Sequence, residues 1–262
     1  MLLRSLGAGV SGLKNFQTDL DVIGNNIANV GTTGYKKSRV NFEDTFSQQL
    51  QGASTDKNAI QIGLGSEAGS IDNIISGGTI DSTDNPYDLA IDGEGYFLVK
   101  DSAGNGFYTR AGDFKLNSNG TGFVNSQGLT LDGVGTAGGG TGDFNSITSF
   151  TVAPDGTVTG VSGNTSVPLG AVSVYTFKNP GGLEKTGNSL YLDVPNATGG
   201  ATKSTTVGTD MKIQQGALEG SNVDLTDEMT NLITAQRAYQ ANARTITTAD
   251  DILQELIQLK RN

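Results

Sequence analysis

The chain has no cysteine, no histidine and no tryptophan. Without cysteine there can be no thiol nucleophile, no thiolate metal site and no disulfide. Without histidine the commonest general base and the commonest metal ligand are both missing. Carboxylate, serine or lysine chemistry is still open to a catalyst. Nowhere do about 18 apolar residues run together, the length a membrane-spanning helix needs. Met1-Leu2-Leu3 is interrupted by Arg4, and the apolar stretch that follows is broken by glycines and polar residues. A cleaved secretory signal is therefore not expected, and export would need another route. Basic residues are scarce, 17 against 27 acidic ones, for a net charge of -10. A field of that sign opposes nucleic acid and anionic membrane surfaces.

Glycine, by contrast, is abundant, at 38 of 262 residues, while aromatics make up 6%. That balance favours short strands and tight turns over a dense helical core. Full disorder is excluded, because apolar residues recur in clear patterns along most of the chain.

Both ends carry a helical pattern. Leu3, Leu6, Val10, Leu13, Leu20, Ile23, Ile27 and Val30 follow one another mostly at steps of three or four, with Gln17 at one expected apolar position. This spacing predicts an amphipathic helix. Gly31-Thr32-Thr33-Gly34 supplies its stop. Met229, Leu232, Gln236, Tyr239, Ala243, Ile246, Leu253 and Leu256 repeat the pattern, with a gap at Asp250. Asp224 is placed to cap that helix, and Asp227 lies near the positive end of its dipole. Each helix has one apolar stripe that something else must cover.

The middle changes to period two and to turn residues. Leu89 to Val99 reads as a strand, a tight Asp92-Gly93-Glu94-Gly95 turn, and a second strand. Further strands are expected at 106–109, 113–117, 122–124, 149–153, 157–161, 171–177 and 189–193. Asn119-Gly120 and Asp155-Gly156 are hairpin signals between such runs. Phe42, Phe46 and Leu50 are four apart and suggest a short helix, and 70–75 suggests a strand. The expected architecture is α+β. N- and C-terminal helices pair as a coiled-coil-like layer around a mostly antiparallel, all-β centre. The segments are 1–34 for the first helix, 35–83 for a connector, 84–195 for the β domain, 196–220 for a return connector and 221–262 for the last helix.

Several motifs invite a sharper reading. Gly7-Ala8-Gly9-Val10-Ser11-Gly12 spells the dinucleotide-binding pattern, but no strand precedes it and the helical spacing runs straight through it. Close helix contact explains its small residues better. Gly138 to Asp143 resembles a single calcium-binding repeat, which needs stacked copies. Asp81, Asp84, Asp88, Asp92 and Glu94 cluster near turns, where such side chains bond their own backbone. Lys36, Lys37 and Arg39 are read as cations complementing a helix C-terminus. Asn25, Asn26 and Asn29, poor helix formers, fit either a solvated face or hydrogen bonds that fix register with neighbouring helices. No catalytic residue, cofactor or metal site is expected.

Leu20-Asp21-Val22-Ile23-Gly24-Asn25-Asn26-Ile27-Ala28-Asn29-Val30, followed by Thr33-Gly34-Tyr35-Lys36, resembles the N-terminal signature of bacterial flagellar rod and hook proteins. Asp88 to Phe97 and Tyr108 to Phe114 are similar to that family's central domain. Ser221 to Leu225, and Ala235-Gln236-Arg237-Ala238-Tyr239 onward to Leu253, resemble its C-terminal signature. The resemblance implies a structural subunit exported through the flagellar type III apparatus without a cleaved signal. It implies assembly with copies of itself, and with other axial, junction and cap proteins, into a tubular polymer. The terminal helices would line the inside, and the fourteen stripe residues Leu3, Leu6, Val10, Leu13, Leu20, Ile23, Ile27, Val30, Met229, Leu232, Tyr239, Ile246, Leu253 and Leu256 would form its interface. Distal rod proteins of the family often carry a longer insertion after the segment matching 42–51, so the modest connector here points to the hook, with the distal rod as the alternative. A secreted β-domain adhesin would explain the acidic centre but not the paired terminal stripes.

Overall fold

The computed structural model describes residues 2–51, 60–140, 142–163, 165–204, 207–209 and 211–261. The fold is α+β, with a helix at each end and a mostly antiparallel β region between them. The chain divides into two compact units, one of residues 1–28, 38–74 and 223–262, the other of residues 29–37 and 75–222.

The first unit contains both long helices, Leu2–Ala28 and Leu225–Arg261, packed on one another. Asp224 caps the second as its position suggested: the Thr226 amide donates to Asp224 Oδ1 at 2.8 Å. Asp227 and Glu228 follow in the first turn, where the helix dipole favours negative charge. The helices approach through small residues. A Cβ on Gly9 would meet Thr245 and Ile246 at 3.2 Å, and one on Gly12 would stand 2.6 Å from Asn242 Nδ2. The glycines of the dinucleotide-like pattern therefore sit inside a continuous helix and serve helix contact. Glu228, Ala235, Asn242 and Ala249 recur every seven residues along the C-terminal helix, and Glu228, Ala235 and Ala249 are buried. Gly12→Val is expected to destabilise the helix pair by about 1–3 kcal/mol through overpacking. Adding Asn242→Ala restores part of that loss in a thermal melt followed by far-ultraviolet circular dichroism.

The same unit holds two antiparallel ribbons, Ser38–Asp44 with Ser66–Asn73 and Ser47–Gln51 with Ile60–Gly63. The first includes part of the strand expected at 70–75. The helix expected from Phe42, Phe46 and Leu50 is not formed. The partner strand satisfies the backbone of 38–44, so period two replaces the four-residue spacing. Val40 turns inward, Phe42 meets Phe16 of the N-terminal helix at 5.9 Å between ring centroids, and Phe46 falls between strands, 91% exposed. The Leu50 side chain lies outside the described residues.

In the second unit, Tyr96–Lys100 is the central strand. Gly106–Thr109 pairs on one side, with Leu190–Leu192 and Glu184–Gly187 beyond it. Thr130–Leu131 and Val174–Thr176 pair with its other edge. Alternation along this strand sends Phe97 and Val99 into one core, with Phe114, Phe123, Leu131, Leu169 and Ile213, and Tyr96 and Leu98 into a second, with Tyr108, Leu183 and Tyr191. Both faces are thus buried, which is why the segment reads as nearly continuous apolar sequence. Asp155-Gly156 closes the hairpin of Ser149–Val152 and Thr157–Ser162, with Gly156 at φ 87°. Asn119-Gly120 lies between the paired strands Lys115–Leu116 and Phe123–Val124, with Gly120 at φ 63°.

The turn at Asp92-Gly93-Glu94-Gly95 does not join partners. Leu89–Asp92 pairs with Lys212–Gln215, and the neighbouring Ala217–Glu219 pairs with Ile80–Ser82. Part of the segment read as a return connector is therefore strand. These strands are short and partly polar, and their partners lie far away in sequence, so local periodicity carried no sign of them.

Candidate assembly interface

Two polar clasps, one in each unit, hold the elements that carry the terminal helices. The first begins where the N-terminal helix stops, at Ala28. Gly34 adopts φ 66°, and a Cβ there would stand 2.5 Å from Ala111 N, so the turn requires glycine. Its amide donates to the Glu219 carbonyl at 2.8 Å. Two residues on, Lys36 is 0% exposed. Its Nζ donates to Glu219 Oε1 at 2.6 Å and to the Ser76 carbonyl at 2.7 Å. Arg110 Nη1 donates to Glu219 Oε2 at 3.1 Å, and the Gly78 amide donates to Glu219 Oε1 at 3.0 Å. The Arg110 guanidinium lies over the Tyr96 ring, 5.2 Å from its centroid. Asn222 Oδ1 accepts from the Lys37 amide at 2.8 Å.

This corrects the reading of Lys36 as a cation complementing a helix C-terminus. The helix has ended eight positions earlier, and the Gly34 turn directs Lys36 into the β unit, where a carboxylate awaits it. The missed members are Glu219 and Arg110. Their signal was a charge set among apolar residues, in Ala217-Leu218-Glu219 and in Tyr108-Thr109-Arg110. The cluster joins segments from the beginning, middle and end of the chain.

Burial pushes the Lys36 ammonium down, partly offset by its bond to Glu219. Burial pushes the Glu219 carboxyl up, but the Arg110 charge, the Gly78 amide and Lys36 outweigh it and hold the group below its ordinary range. A carboxyl lowered in the fold contributes stability that is present above its unfolded value and lost as pH falls through the folded one. In the first unit Asp19 has the opposite sign: burial, then the charge of Glu228, raise its carboxyl. Its contribution is fully present below the ordinary aspartate value of 3.8 and lost as pH rises through the raised one. Acidification through the carboxylate range is thus expected to weaken the β unit before the helix pair, as site-resolved hydrogen exchange would show. Asp19→Asn is expected to stabilise the helix pair near neutrality by about 0.5 kcal/mol, allowing for solvent screening.

The second clasp decides the role of the asparagines. Asn26 is 1% exposed. Its Nδ2 donates to the Ser38 carbonyl at 2.8 Å and to Glu228 Oε2 at 3.2 Å, and its Oδ1 accepts from the Ser38 amide at 3.0 Å. One side chain therefore ties the N-terminal helix to the first strand and to the C-terminal helix. Asn25 is exposed and Asn29 half-buried, so the two readings divide between residues.

The fourteen stripe residues also divide. Ile23 is buried, and Leu6, Leu13, Leu20, Ile27, Leu232, Ile246 and Leu253 are half-buried. Val10, Val30, Met229, Tyr239 and Leu256 are exposed, and the Leu3 side chain lies outside the described residues. The sequence pattern missed Ile233, Ile252 and Ile257, which stand off the counted stripe and are also exposed, Ile257 at 64%. The C-terminal helix thus buries Ala235 and Ala249, sets Asn242, Thr245 and Ile246 against the glycines of the N-terminal helix, and leaves many of its large apolar residues facing outward. These exposed apolar side chains are the candidates for an assembly interface.

Comparison with known proteins gives the surface its context. Residues 6–36 match the family described as flagella basal body rod protein. Residues 90–160 match the flagellar hook protein FlgE/F/G D1 domain, and residues 214–259 the flagellar basal body rod FlgEFG protein C-terminal family. The flagellar basal-body rod protein FlgG of Bacillus subtilis (strain 168) is 46% identical over 268 residues, covering 99% of this chain and 100% of the relative. The chain belongs to the flagellar rod and hook protein family. Membership makes it an axial structural subunit of the bacterial flagellum. The FlgG of Caulobacter vibrioides is 38% identical over 98% of this chain and 100% of its own length. The flagellar hook protein FlgE of Borreliella burgdorferi is 28% identical over 442 aligned residues, covering 99% of this chain and 100% of the relative. The rod relatives match at higher identity, so they favour a rod over the expected hook. The length of the connector was a poor guide, because Ser38–Asp44, Ser47–Gln51, Ile60–Gly63 and Ser66–Asn73 are already folded into ribbons of the helical unit.

Proposed function

We propose that the chain is the distal rod subunit, polymerising through the outward apolar faces of its terminal helices. The observation that carries this reading is the division of the C-terminal helix. Ala235 and Ala249 are buried inside the chain, and Met229, Ile233, Ile252, Leu256 and Ile257 remain exposed. A helical polymer needs heterologous contacts that repeat without closing, and stripes at both chain ends supply two such patches. In the assembled rod, segments 1–34 and 221–262 form a coiled-coil-like inner layer, 84–195 lies outside it, and 35–83 and 196–220 are the joints. Its partners are further copies of itself and the adjoining axial, junction and cap proteins. It reaches them through the flagellar export apparatus.

The hook is the second reading, supported by similarity to the Borreliella burgdorferi FlgE. Electron microscopy of basal bodies from a deletion strain, with and without this chain supplied in trans, separates the two. A rod truncated before its distal part is the expected result. A complete rod lacking only its hook would establish the second reading, and intact hooks would overturn both.

A further inference from the structure

The Lys36–Glu219–Arg110 cluster has donors left over. Tyr96 and Arg110 are each 2% exposed. Tyr96 Oη and Arg110 Nε are both inaccessible to solvent, and neither has a hydrogen-bond partner among the described residues. Both residues line one cavity of about 50 Å³, together with Ile75, Glu94, Thr176 and Phe177. That volume suits a few waters or one small ion, since a single water needs roughly 10–15 Å³. A buried donor left unpaired is costly, so two on residues that line the same small cavity call for an acceptor.

The charge of the surroundings selects the acceptor. Arg110 and Lys36 share one buried carboxylate, Glu219. Lys185 brings a third cation near, its Nζ donating to the Lys36 carbonyl at 3.1 Å. Arg110 Nε can only donate, and the Tyr96 hydroxyl can donate as well. The Tyr96 ring packs on Phe177 at 5.6 Å and on Tyr191 at 5.6 Å, an apolar wall that strengthens any charge–charge contact beside it. Glu94 is the opposing charge on the lining, and it is exposed and screened by solvent. It penalises a divalent anion more than a monovalent one.

From this we infer that the cavity beside Arg110 and Tyr96 binds a small monovalent anion, of halide or formate size, which completes the hydrogen bonding of the buried cluster. The site is a property of the β unit and does not depend on which axial segment the chain builds.

Bromide is the probe. In crystals of the full chain grown with sodium bromide, anomalous scattering should place a bromide within hydrogen-bonding reach of Arg110 Nε and Tyr96 Oη. In solution, replacing methanesulfonate by bromide at constant ionic strength should raise the melting temperature saturably, as ligand binding to the folded state requires. Tyr96→Phe keeps the ring and removes the hydroxyl, and should raise the half-saturating bromide concentration about tenfold. A water or the Glu94 carboxylate in the cavity, with no anomalous density, would overturn the inference. So would a Tyr96→Phe chain whose response to bromide matches that of the unaltered chain.

Discussion

Glu219→Gln will unfold the β unit or leave it marginal, at a cost of about 3–5 kcal/mol, because it strands two buried cations without their counter-charge. Lys36 and Arg110 both direct donors at this carboxylate, at 2.6 Å and 3.1 Å. The amide of glutamine offers one acceptor where the carboxylate offered two, and it carries no charge. Lys36→Met should cost considerably less. It leaves Arg110 and Glu219 as a balanced pair and fills the space of the aliphatic stem. The informative result is therefore the asymmetry, read from urea unfolding followed by tyrosine fluorescence, to which the tyrosines of the second core (Tyr96, Tyr108 and Tyr191) contribute. Equal losses for the two variants would mean that packing around Lys36, and not charge balance, sets the stability of the cluster.

Met229→Asp will abolish polymerisation and leave the monomer folded. Met229 is 49% exposed, so a charge there meets water in the isolated chain and costs the fold little. In the proposed polymer the same position is covered. Losing one buried apolar side chain forfeits about 1.5–3 kcal/mol at each contact, before the cost of burying a carboxylate is added. At 1.4 kcal/mol per factor of ten, each subunit contact weakens at least about tenfold, and a filament repeats the penalty at every step. Leu256→Asp, 51% exposed, should behave in the same way. Leu232→Asp should also block assembly, but Leu232 is half-buried within its own chain and some of the loss would belong to the fold. The measurement is negative-stain microscopy of assembled material beside circular dichroism of the monomer. Normal filaments from the Met229→Asp chain would remove the C-terminal helix from the interface.

The two variants probe different determinants. The Glu219 cluster fixes how the start, centre and end of the chain are gathered, whereas Met229 and its neighbours concern what the gathered chain does next. Asn26 connects the two themes, since it bonds Glu228 one residue before Met229 and anchors the first turn of the C-terminal helix against the last turns of the N-terminal one. Its exposed neighbour Asn25 has the same composition and none of the same burial, which shows how little residue type alone says about role.

Local physics was enough for much of this protein. A helical period in the apolar residues marked both terminal helices, an aspartate in a capping position marked where the second begins, and Asp155-Gly156 marked a hairpin, because each depends on neighbours within a few residues. The missing cysteine and histidine excluded whole classes of chemistry by themselves. Tertiary structure decided the rest. It turned Phe42 from a helical position into a strand one, because the partner is the distant Ser66–Asn73. It paired Leu89–Asp92 with Lys212–Gln215 across more than a hundred residues, and it moved Lys36 from the expected helix end into a buried pair with Glu219. It also chose which half of the helical stripes is consumed within the chain and which half stays outside. Those outcomes depend on what lies across the contact, and a charge or an apolar side chain carries no record of its future partner in its own sequence neighbourhood.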